Sequence, residues 1–112
     1  MEKFDSDVST CFEVRHPIYN YLIAVGISTS SNMDYAAVDM EFRGKGIQRM
    51  LIGSRERAIK ALSSSTDPIS VTAVVRCSNF ASWMNFIKMG YHISGMTRFH
   101  DDEEGFILSK SI

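Results

Sequence analysis

Hydrophobic and polar positions change period several times along the chain, and each change marks an element. "CFEV" at 11–14 and "IYNYLIAVGI" at 18–27 are rich in β-branched and aromatic residues and are broken by "HP", so they predict two strands. "STSSNM" then reads as a polar turn. "DYAAVDMEF" at 34–42 predicts a third strand, with Asp34, Ala36 and Val38 on one face and Tyr35, Ala37 and Asp39 on the other. After Gly46 the period lengthens. Ile47, Leu51, Ser54, Ala58 and Leu62 recur at helical spacing, and Arg49, Glu56, Arg57 and Lys60 fall on the complementary surface. This predicts an amphipathic helix of about four turns, ended by "SSSTDP".

"ISVTAVVRC" at 69–77 alternates as a strand does, with Ile69, Val71, Ala73, Val75 and Cys77 sharing one face. A second helix follows, capped by Ser78 or Asn79, striped by Phe80, Trp83, Met84 and Ile87, and closed by Gly90. "YHISGMTRF" and "GFILSKSI" predict a closing antiparallel pair joined through the acidic turn "HDDEEG". Residues 1–10 are polar and weakly patterned and predict a mobile start or one short turn. The order of elements predicts an α/β fold with a mixed sheet, and 112 residues at 45% hydrophobic content suit a single domain over 1–112.

Charge and cysteine content narrow the function. A net charge of -1 excludes a wholly basic nucleic-acid binder, so any anion site must be local. The longest apolar run, "YLIAVGI", is too short to cross a bilayer, so a soluble protein without a membrane partner is expected. Cys11 and Cys77 lie far apart, and with no signal peptide they suit free thiols in a reducing cytoplasm. His16, His92 and His100 show no ligand spacing, so no metal site is expected.

The densest chemistry is in "VDMEFRGKGIQRML" at 38–51. A strand that stops at a Gly-x-Gly turn and restarts as a helix leaves the first helical N–H groups unpaired and converging on one spot. Gly44 and Gly46 let the backbone approach an anion, and Arg43 and Lys45 add charge. A plain turn carries the same residues, so both readings stand on this segment alone. The P-loop pattern fails because Ile47 follows "GKG", and the dinucleotide fingerprint fails because residue 49 is Arg.

The same stretch resembles motif A of the GNAT superfamily of acetyl-CoA-dependent N-acetyltransferases: Gln or Arg, two residues, Gly, one residue, then Gly or Ala. Arg43 and Gly46 fit, and Gln48 departs at the last position. "NFASWMNFIKMGYHISG" is similar to motif B, with Asn79 opening its helix and Gly90 and Tyr91 closing it. Phe86 stands where the family often has the tyrosine that protonates the departing thiolate, and a phenyl ring has no proton to give. The resemblance covers roughly residues 20 to 112, behind an amino-terminal part shorter than the family's usual two helices and strand series. It implies a mixed, mostly antiparallel central sheet with flanking helices, abbreviated at the N-terminus.

The resemblance also implies acetyl-CoA as cofactor and a primary amine on a protein, peptide or small molecule as acceptor. Val38, Asp39 and Met40 would lie along the pantetheine arm. Arg43, Gly44, Lys45, Gly46, Ile47 and Gln48 would hold the pyrophosphate, and Asn79 and Phe86 would border the cofactor from the second helix. Asp34 and Glu41 are the candidate bases, against the plainer reading of solvated carboxylates. A second reading keeps the fold as a non-catalytic module that binds coenzyme A or another protein. A homodimer would complete a pocket left short by the abbreviated N-terminus.

Overall fold

Several elements start or stop where a side chain bonds to the backbone. The computed structural model describes residues 9–29, 31–63 and 66–112. Strands β1 (Ser9–Arg15), β2 (Leu22–Thr29) and β3 (Asn32–Val38) precede helix α1 (Ile47–Leu62). Strand β4 (Ser70–Arg76), helix α2 (Phe80–Lys88) and strands β5 (His92–Arg98) and β6 (Glu104–Ser111) follow. The polar start expected over residues 1–10 lies, for residues 1–8, outside the described residues, as do Ser30 of the first turn and Ser64 and Ser65 of the second.

Two strands are shorter than their apolar runs. β2 begins at Leu22 rather than at 18, because His16 closes a turn: its Nδ1 accepts the N–H groups of Ile18 and Tyr19, each at 3.2 Å. β3 ends at Val38 rather than at 42. The Asp39 carboxylate accepts the Glu41 N–H at 3.0 Å and starts a 3-10 turn over Met40–Phe42, a local bond that competes with the strand ladder.

The six strands form one mixed, mostly antiparallel sheet in the order β1-β2-β3-β4-β6-β5, and β3–β4 is its parallel pair. Among the described residues that pair is in register only at Asn32↔Thr72 and Met33↔Ala73, with the Thr72 N–H also reaching Ser31 O at 3.0 Å. Beyond Met33 the two strands part. The β2–β3 register shifts at the same place, pairing Ile27 with Tyr35 and Ser28 with Met33, so Asp34 is the extra residue of a β-bulge. The bulge therefore sits where the sheet opens.

Both α-helices lie on one face. Ile52 and Ile59 of α1 and Phe86 of α2 join Val71, Ala73, Val75 and Leu108 in one core cluster, and Leu51 packs with Ile23 and Ala24 in a second. Each large buried side chain contributes about 1.5–3 kcal/mol. Tyr35 and Val74, on the opposite face of the sheet, stay exposed.

The helical faces are rotated from those expected. α1 buries Leu51, Ile52, Arg55 and Ile59, while Leu62 is exposed. Gly26 permits this: a Cβ there would stand 3.2 Å from Arg55 Nε and 3.4 Å from Leu51 Cβ. In α2, Phe80 is exposed and Phe86 is buried, its ring edge-on to Tyr91 at 5.0 Å. Gly90 ends α2 at φ +98, with Gly90 N–H on Ile87 O and Tyr91 N–H on Phe86 O, both at 3.0 Å.

Candidate cofactor cleft

The loop before α1 is built around two left-handed residues, Gly44 at φ +79 and Gly46 at φ +82. Gly46 is the N-cap of α1, and being glycine it offers no side chain to the helix start. The Met50 N–H reaches Gly46 O at 3.1 Å, so the amides of Ile47, Gln48 and Arg49 precede the first helical bond. Unpaired amides, the positive end of the helix dipole and open backbone together favour an anion.

These amides open onto a cleft of about 400 Å³. Among the residues proposed from sequence, Val38, Arg43, Gly44, Gly46, Ile47, Gln48 and Asn79 border it. Arg49 and Lys88 join Arg43 there, and no carboxylate belongs to the lining, so the cleft carries positive charge in a chain of net charge -1. Asp39, Met40, Glu41 and Lys45 are exposed and outside the lining, because the 3-10 turn carries the first three away from the strand line. Phe86 is in the core instead, and touches only the neighbouring hollow.

Side chains on the cleft wall are held in place. Gln48 donates to Ser82 Oγ at 2.8 Å and accepts from Asn85 Nδ2 at 2.9 Å, tying α1 to α2. Asn79 caps α2, accepting the Ser82 N–H at 3.3 Å. Arg43 folds back, its Nε donating to Val38 O at 3.1 Å. Ser82, Asn85 and Lys88 are spaced three apart on α2, a helical spacing that could have marked them in the sequence.

A second hollow of about 290 Å³ fills the opening between β3 and β4 and shares Ala36, Gln48, Asn79 and Ser82 with the cleft, so the two are continuous. Asp34 borders it, with Tyr35, Arg55 and Arg76. The Asp39 N–H bonds Ile23 O at 2.7 Å on the β2 side, so by strand alternation the backbone groups of Val38 and Ala36 face the open side. Arg76 is engaged by Asp101 at 2.9 Å and Glu103 at 2.5 Å.

Parting parallel strands and a glycine loop that starts the helix between them fit the resemblance read from the sequence. Solved structures agree. Over 96% of its length the chain matches the ribosomal-protein-S18-alanine N-acetyltransferase from Escherichia coli, with a TM-score of 0.71 and 17% identity. It matches the ribosomal-protein-S5-alanine acetyltransferase from Vibrio fischeri over 91%, with a TM-score of 0.74 and 17% identity. An acetyltransferase of the GNAT family from Streptococcus pneumoniae matches over 96%, with a TM-score of 0.70 and 13% identity. The chain has the GNAT acyltransferase fold. It spans 70%, 61% and 68% of the lengths of those three proteins. No protein-family model matches the sequence, and no curated protein matches it. The cleft lies at the start of α1, and the hollow lies in the opening between β3 and β4.

Proposed function

We propose that the protein is an N-acetyltransferase that binds acetyl-CoA in the cleft and moves its acetyl group to a primary amine entering through the hollow. The observation that carries this reading is the uncapped N-terminus of α1, facing a cleft lined by three cations and no acid. The donor set suits a pyrophosphate: the amides of Ile47 to Arg49 bind it, and Arg43, Arg49 and Lys88 flank it with charge. When bound, acetyl-CoA supplies an acetyl group activated as a thioester.

The chain's own groups divide the remaining work. The outward-facing backbone groups of Ala36 and the N–H of Val38 would orient the acyl arm, the Val38 carbonyl being taken by Arg43, and an amide of this edge would stabilise charge on the carbonyl oxygen. Asp34, on the bulge at the rim of the hollow, takes the proton of the acceptor amine as its nitrogen bonds to the acetyl carbon. Tyr35 is the hollow's phenol and supplies a proton to the thiolate that leaves, the task a phenyl ring at Phe86 cannot perform. Asp34→Asn and Tyr35→Phe should each lower kcat by about 100-fold or more while leaving coenzyme A affinity unchanged. Steady-state kinetics beside calorimetry checks this, and wild-type kcat in both variants would remove these roles.

A second reading, a non-catalytic module that binds coenzyme A or a protein, is favoured by the burial of Phe86 and the uncovered sheet face around Tyr35 and Val74. Cofactor binding without transfer to any amine panel would select it.

A further inference from the structure

Arg55 is the most deeply buried charged side chain described, 1% exposed, and it borders the hollow between β3 and β4. Its bonds all go to neutral carbonyls: Nε to Leu51 O at 3.1 Å, and Nη1 to Tyr35 O at 3.2 Å and Ile27 O at 3.4 Å. Nη2 is buried without any partner. Among the described residues no carboxylate forms an ion pair with it. Glu56, nearby, is held by Lys110 at 3.0 Å, and Tyr91 is buried beside them. Arg76, the hollow's other cation, is neutralised by Asp101 and Glu103.

A buried cation without a counter-ion is costly, and structures keep one only where something compensates it. Burial pulls the guanidinium pKa below its ordinary value, with Tyr91, Asp34 and Glu56 pushing it back. Arg55 occupies a position on the apolar stripe of α1 where a leucine would pack without this cost. Arg55 borders the hollow, whose volume of about 290 Å³ lies at the small end of ligand sites and whose lining carries one carboxylate, Asp34.

We propose that this hollow takes a zwitterionic α-amino acid, its carboxylate on Arg55 and its amino group towards Asp34. That this molecule is the acetyl acceptor rests on the transferase reading; that it binds here does not. A planar guanidinium already fixed by three carbonyls keeps one nitrogen without a partner and loses little further entropy on taking one, which suits a carboxylate better than a lysine would.

The test compares the twenty L-amino acids with their carboxamides, by saturation-transfer NMR for binding and by thiol release from acetyl-CoA for transfer. At least one acid should bind tenfold or more tightly than its amide, and Arg55→Leu should erase that preference. Coenzyme A affinity should stay within twofold, and binding is read only where a cooperative melting transition shows the variant folded, since leucine fills the apolar stripe but removes the donors on Ile27 O and Tyr35 O. Arg55→Gln provides a second neutral variant should the first fold poorly. Equal binding of acids and amides, no binding of either, or a preference that survives in a folded Arg55 variant would overturn the assignment. Acid-selective, Arg55-dependent binding without acetyl transfer would leave the hollow standing and sink the transferase reading. Transfer to amides as readily as to acids would do the reverse.

Discussion

Gly44 and Gly46 are required by backbone conformation rather than by space. A Cβ at Gly44 would meet nothing within 4 Å, and one at Gly46 only Arg49 Nη2 at 3.8 Å, yet both residues sit at strongly positive φ. An L-residue there is strained by about 1–2 kcal/mol. Gly46→Ala should therefore lower unfolding free energy by that amount in urea titrations while the protein still folds, and an unchanged midpoint would mean that the loop relaxes at no cost. Residue identity was readable from the sequence where conformation demanded it, as in "RGKG". It was not readable at Arg55, because an arginine in a helical pattern normally marks the solvent face, and only Gly26 on β2, remote in sequence, makes room for it.

Between elements, polar links do what apolar packing alone would not. Gln48 occupies the position where the GNAT pattern has Gly or Ala, and its amide joins α1 to Ser82 and Asn85 of α2. Gln48→Ala should cost about 1 kcal/mol, since Asn85 loses its acceptor and Ser82 its donor in a half-buried place. No loss in denaturant melts would show the link to be incidental. The β5–β6 turn is held differently. Arg76 bonds hold the Asp101 carboxyl below the usual carboxylate range, and Ser78 first, then Arg76, does the same for Glu103. Groups with depressed folded pKa values stabilise above their unfolded values, near pH 4, and that contribution is lost as pH falls through the folded ones. The urea midpoint should drop between pH 7 and pH 3 by more in the wild type than in Arg76→Gln; equal drops would deny the coupling. Element order and type followed from periodicity, whereas ends did not: Asp39 and His16 stop strands through their own bonds to backbone, which an apolar run does not reveal.

Across the whole molecule, the mixed sheet was legible because each period change was abrupt and each helix start carried a glycine or asparagine. The strand opening was not. It depends on β3 and β4 pairing at two positions and then parting, a long-range choice that no local pattern encodes. With it the cleft, the hollow and the bulge at Asp34 fall into one continuous space, and the glycine loop gains its partner surface from α2. No described helix is long and apolar enough to cross a membrane. What that space holds is settled most directly by calorimetric titration with acetyl-CoA and, separately, coenzyme A. Micromolar binding, worth about -8 kcal/mol, that is abolished by Gly46→Glu is the expected result. No heat of binding at millimolar coenzyme A, from a folded protein, would contradict it.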